Sequence, residues 1–345
     1  EAFEEALAAE RPDVIHLQHL MGLPIALVER IDAAGIPYVI TLHDYWYGCA
    51  NAQLLTNDDS SLCAGPDARY INCGRCALAR AGVGGLARLA PVVAPLMARR
   101  GRLLRRVYEG AAAVLASTDF ARRAYAGMGF PTGAVRVWPL GIDVTAEELA
   151  AAHAAQRARI AGVSPASSAP LRIGYIGGLS AQKGVHVLVG AVNRLPAGTV
   201  ALSIYGDLDA FPDYTAELRR MAAHPGIRFE GRLARPAFWP ALGGLDVLVV
   251  PTLWYETYSI VAHEAFAAGV PVVASRIGVM PEVVRDGVDG LLFPPGDEGA
   301  LAEILRALAE DRKRVEALRA GIRPVAMLAD HCERLLALYA EVMER

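Results

Sequence analysis

Two glutamates, Glu256 and Glu264, stand eight residues apart around an expected helix start, directly after an apolar strand. The run LDVLVVPT, Leu245 to Thr252, is continuously apolar, as a parallel strand buried on both faces would be, and PVVAS, Pro271 to Ser275, reads as the next strand. One helix, roughly Tyr258 to Ala268, fits between them. The amides at its start, Thr257, Tyr258, Ser259 and Ile260, together with the positive end of the helix dipole, can hold a diphosphate without any basic side chain. At a rise of ~1.5 Å per residue the two carboxylates lie roughly 10 Å apart. That separation suits a sugar at one end of a diphosphate and a ribose at the other. Two solvated glutamates on an ordinary amphipathic helix are the alternative. Against it, Glu264 sits inside the apolar stretch IVAH to AFAAG.

A second candidate is the glycine loop Gly177, Gly178 to Gly184, which follows an expected strand at Leu171 to Ile176. Glycines at a strand-to-helix turn let backbone approach a phosphate, and Lys183 can place a point charge on it. Of the 34 basic residues only Lys183 and Lys313 are lysines, so a lysine in this loop is informative. Its alternative is a solvated lysine in an ordinary turn. Three histidines, His16, His19 and His43, fall at or near the carboxyl ends of the first two strands, where open α/β sheets place their clefts. A hydrogen-bonded structural histidine is the alternative for His43 and the preferred reading for His16 and His19.

These side chains need a framework, and the chain alternates strand and helix from end to end, the pattern of doubly wound α/β domains. Strands are expected at Val14 to Leu17, Tyr38 to Leu42, Ala113 to Ala116 and Val135 to Trp138. After a linker at Val163 to Pro170, a second cycle follows at Leu171 to Ile176, Val200 to Tyr205, Ile227 to Phe229, Leu245 to Val250, Pro271 to Ala274 and Gly290 to Phe293. With 345 residues, 54% of them hydrophobic, and 33 glycines, the chain can bury two sheet-centred cores. A net charge of −3 lacks the basic footprint of a duplex nucleic-acid binder. No apolar run reaches membrane-spanning length and no signal peptide precedes the first helix, which gives a cytoplasmic expectation.

The motif E-x7-E followed by EAFAAGVPVVAS resembles the retaining GT-B-fold glycosyltransferases of family four, the glycogen-synthase-like group. YIGGLSAQKGVHVLVGAV, IYGD, GVMPEVVRDGVDGLLFPPGD, PDVIHLQH and TLHDYW fit the same group and span nearly the whole chain. The resemblance implies a GT-B fold, two doubly wound Rossmann-like domains facing a cleft. The acceptor-side domain would take residues 1–165, with a cysteine-containing insertion at about 47–77. The nucleotide-sugar domain would take 170–325, and a last helix within 326–345 would cross back to the first domain. It further implies a hexosyltransferase of polysaccharide biosynthesis, moving a sugar from a nucleoside diphosphate sugar to a hydroxyl of a glycan, a lipid-linked or a small-molecule acceptor, with no catalytic cofactor. In that scheme Glu264 accepts the ribose hydroxyls, Glu256 contacts the donor sugar, Lys183 and the amides hold the diphosphate, and His43 of TLHDYW bonds to the transferred sugar. A nucleotide-sugar epimerase of the same fold and a non-catalytic nucleotide-sugar binder are the alternatives.

Two departures from the family pattern stand out. Gly178 occupies a position where the family usually has an arginine, leaving Lys183 as the evident side-chain cation. Members also begin with a strand, a glycine-rich loop and a further strand-helix unit before PDVIHLQH, so the first domain is expected to be N-terminally truncated, as a fragment or as a chain completed by another polypeptide. Asp207-Leu208-Asp209 imitates a D-x-D metal motif but falls where the family has a glycine-aspartate loop near the nucleotide, and it is not expected to bind metal.

Four of five cysteines cluster as C-x13-C-x9-C-x2-C at Cys49, Cys63, Cys73 and Cys76, in an expected long polar loop. That is the composition of a small structural zinc site, with free thiols or disulfides as the alternative. Cys332, on the last helix, is expected in the core. The segment Ala77 to Arg106 carries Arg80, Arg88, Arg99, Arg100, Arg102, Arg105 and Arg106. It reads as a solvated arginine face on packing helices, or as a peripheral contact with an anionic membrane, such as the inner face of the cell membrane.

Overall fold

A computed structural model describes residues 2–161 and 169–344, so most of the expected linker, 163–168, lies outside the described residues. The chain divides into two compact units, residues 1–140 with 329–345, and residues 141–328.

The first unit holds four parallel strands among the described residues: β1 (Ile15–Leu17), β2 (Tyr38–Leu42), β3 (Ala113–Ala116) and β4 (Arg136–Val137), in the order β1-β2-β3-β4. β2 and β3 are buried at every position, which explains a sequence that is apolar except for Thr41. The helix Leu328–Met343 presses Leu338 and Val342 onto Val39, Ala113 and Leu115. Cys332 is exposed rather than in the core, because it lies off the face that carries Leu338 and Val342.

The second unit is a six-stranded parallel sheet, β5 (Leu171–Ile176), β6 (Val200–Tyr205), β7 (Ile227–Gly231), β8 (Val247–Val250), β9 (Val272–Ser275) and β10 (Gly290–Phe293). Its order is β10-β9-β8-β5-β6-β7. Successive strands run outward from β5 on one side and from β8 on the other. The space beyond the carboxyl ends of β5 and β8 is therefore the switch point at which doubly wound sheets bind ligands.

The helix Ala146–Ala161 groups with this second unit, although the sequence places residues up to 165 in the first domain. Side-chain anchors explain the difference. Arg159 donates to both carboxylate oxygens of buried Asp246, at 3.0 and 2.6 Å, and Arg312 donates to the same carboxylate at 2.9 Å. His153 and Gln156 bond to the carbonyls of Ala267, Ala268 and Gly269.

Candidate active site

In the second unit the loop after β5 and the loop after β8 are fastened to each other. Gly184 is left-handed, at φ +70°, and a Cβ there would stand 1.9 Å from the Pro251 carbonyl oxygen, so only glycine permits the approach. The Leu253 amide donates to the Gln182 carbonyl at 2.9 Å. This places Lys183 beside Glu256. Its ammonium donates to Glu256 Oε1 at 2.6 Å, with Glu256 9% exposed. Trp254 completes the group: its indole N–H donates to the same carboxylate oxygen at 3.2 Å, and its ring centroid lies 5.2 Å from the Lys183 nitrogen. Trp254 has no place in the sequence reading, although it lies two residues before the first glutamate. Beside the loop, the Tyr175 hydroxyl donates to the Gly178 carbonyl at 2.7 Å and orders the glycine turn.

The helix after β8 begins at Ile260 and ends at Ala267, two residues later than expected, because Ser259 is left-handed at φ +63°. A serine in that conformation stores strain of the kind found at ligand sites. Its hydroxyl is buried without a hydrogen-bond partner. The next turn is locked by His263, which stacks on Tyr258 with centroids 4.0 Å apart and bonds to the Ser259 carbonyl at 3.0 Å. Burial lowers the His263 pKa, favouring its neutral ring. The backbone at the helix start is thus fixed, with the Ala262 amide donating to the Ser259 carbonyl at 3.1 Å. Glu264 is half-buried, and desolvation raises its pKa from 4.5 to about 7 against a small opposing pull from Arg235. Asp207 pairs with Arg232.

In the first unit the histidines separate by role. His16 is mid-strand and fully engaged, with Nδ1 2.6 Å from the Tyr339 hydroxyl and Nε2 2.7 Å from Thr41 Oγ1. Burial lowers its pKa to about 4, and the ring is neutral. His19 receives the Met21 amide on Nδ1 at 2.8 Å, which leaves Nε2 to donate to Asp44 at 2.9 Å. His43 follows the carboxyl end of β2 and donates to Gln18 Oε1 at 2.6 Å. Desolvation lowers its pKa as well. His16 and His19 thus hold β1, β2 and their loops together, while His43 is exposed at the strand ends.

The four clustered cysteines line one cavity of about 360 Å³, but not as a zinc site. Among the described residues no group of three or more His, Cys, Asp or Glu is arranged to hold a metal ion. Cys73 and Cys76 lie on one turn of the helix Ile71–Arg80, not on a loop knuckle. That helix accommodates Gly74 because the Ala90 carbonyl oxygen would sit 2.5 Å from a Cβ there. The thiols bond separately: Cys76 receives Asn57 Nδ2 at 3.0 Å, and Cys63 receives the Gly65 amide at 3.4 Å. Burial, reinforced by the neighbouring thiols, pushes Cys73 up to about 12, so it stays protonated.

With this geometry in hand, known proteins sharpen the assignment. Residues 170–311 match the family model for glycosyl transferases group 1, and residues 1–141 match that for the glycosyl transferase 4-like domain. A D-inositol 3-phosphate glycosyltransferase of Catenulispora acidiphila is 38% identical over 146 residues, 40% of this chain and 34% of that protein. A glycogen synthase of Mycobacterium tuberculosis is 34% identical over 147 residues, 41% of this chain and again 34% of the relative. The match therefore spans about a third of these relatives' length. Among solved structures, Anabaena HepE in complex with UDP and glucose aligns with TM-score 0.64 and 20% identity, over 99% of this chain and 80% of that one. Sucrose-phosphate synthase of Thermosynechococcus elongatus aligns with TM-score 0.69 and 20% identity, over 99% and 77%. At such identity the likeness is one of fold, GT-B. Two family models that between them span most of the chain, on that fold, show that it belongs to the group 1 glycosyltransferases of family four.

Proposed function

We propose that the chain is a retaining glycosyltransferase that moves a sugar from a nucleoside diphosphate sugar to an acceptor hydroxyl. The observation that carries this reading is the Lys183–Glu256–Trp254 group at the carboxyl ends of β5 and β8, next to a helix start whose second turn carries Glu264. Each part has one task. Glu264 accepts from the ribose hydroxyls, the amides of residues 257–260 and the Lys183 ammonium face the diphosphate, and Glu256 turns to the donor sugar.

In the reaction the bond from the anomeric carbon to the diphosphate oxygen breaks, and the acceptor oxygen bonds to that carbon on the same face. The acceptor's proton passes to the departing diphosphate. Charge builds up on that leaving group, so the main demand on the protein is preorganised positive potential. Removing one such donor costs about 3–4 kcal/mol of barrier. HepE was solved with UDP, which makes uridine nucleotides the first donor class to test. Thermal shift with UDP, GDP and ADP checks the reading: at 100 times its dissociation constant the correct nucleotide adds ~2.7 kcal/mol of stability. No shift with any of the three would contradict it.

A further inference from the structure

We propose that the outer face of residues 83–106 docks on an anionic lipid bilayer. The inference rests on the first unit alone and is independent of the nucleotide site. Between Asp67 and Glu109 the sequence has nine arginines and no acidic residue, in a chain whose net charge is −3. This segment folds as the 3₁₀ turns Gly84–Leu89 and the helix Ala90–Gly110, which runs on through Pro91 and Pro95. Its inner face is conventional, burying Ala90, Ala94, Leu104, Val107 and Tyr108.

The outer face is not conventional. Val83, Leu86, Leu89, Val92 and Leu96 follow one another at spacings of three or four residues and are all exposed, Val92 by 75% and Leu96 by 61%. At 100° per residue, Arg99 and Arg106 project to the same side as Val92 and Leu96, Arg102 lies at the flank of that face and Arg88 in the preceding 3₁₀ turns, and all four are exposed. None of the four is in an ion pair among the described residues; in the helix it is Arg105 that faces Glu109.

An apolar stripe of this length in water is costly and marks a contact surface. A nucleic acid would satisfy the arginines and leave the stripe wet. A bilayer with anionic headgroups satisfies both, the stripe entering the headgroup boundary while the guanidinium groups meet lipid phosphates. No helix among the described residues is long and apolar enough to cross a membrane, so the contact would be peripheral.

Co-sedimentation of the chain with vesicles tests this, comparing phosphatidylcholine alone with mixtures containing phosphatidylglycerol. Binding is expected only to the mixed vesicles, and it should weaken as salt is raised. Arg99→Ser with Arg102→Ser should lower partitioning about fivefold per arginine. Val92→Ser with Leu96→Ser should lower it more than tenfold. Both variants should melt like the parent, since none of these side chains is buried; Arg88→Ser with Arg106→Ser serves if the first arginine pair does not. Equal binding to neutral vesicles, full retention by the variants, or a stable dimer of the chain that ignores vesicles would each overturn the proposal.

Discussion

Glu264 holds its proton to about pH 7 because burial penalises the charged form, and this fixes the sign of two effects. Between pH 4.5 and 7 the folded chain keeps a proton that the unfolded chain has released, so stability without nucleotide falls as pH rises through that window. Glu264→Gln should flatten this slope and melt higher than the parent at alkaline pH. Ribose hydroxyls donating to Glu264 favour the carboxylate, so nucleotide binding near pH 7 should release a proton and weaken as pH falls. Calorimetry in buffers of different ionisation enthalpy measures that release, and Glu264→Gln should abolish it. At Trp254 the predicted change is narrower. Trp254→Phe keeps a ring beneath Lys183 but loses the N–H bond to Glu256, and nucleoside diphosphate affinity should fall a few-fold with monophosphate affinity unchanged. A loss of thermal stability with both affinities unchanged would make Trp254 a packing residue only.

The elements were legible where burial dictates sequence. β2, β3, β5, β6 and β10 fall where periodicity and apolar runs place them, because a strand buried on one face or on both leaves a readable apolar pattern. The start of the Ile260 helix was less legible, since an apolar run contains no sign that Ser259 adopts a left-handed backbone. The cysteine segment misled for a related reason: a spacing of three residues is both a metal knuckle and one turn of helix. Trp254 was missed because its role comes from the approach of two loops that are far apart in sequence. Asp246 is a further product of tertiary structure, drawing the helix Ala146–Ala161 onto the sheet through Arg159. Asp246→Asn should cost about 3–5 kcal/mol in urea unfolding, because it leaves a buried guanidinium unpaired. A loss below about 1 kcal/mol, ordinary for exposed pairs, would show that the helix is held by apolar packing.

At the scale of the whole chain, the residues proposed for the nucleotide fall within one unit. The first unit presents His43 at the end of β2 and an arginine-rich outer face, and the second carries every group assigned to the nucleotide. The central claim is that the second unit grips a diphosphate through Lys183. The most direct test is to titrate UDP and UMP into the parent chain and into Lys183→Ala by calorimetry. Losing a charge-assisted contact worth about 1.5–3 kcal/mol should weaken UDP binding tenfold or more, while UMP, which lacks the second phosphate, should bind the two proteins nearly alike. Equal losses for UDP and UMP, or no loss for either, would contradict the account.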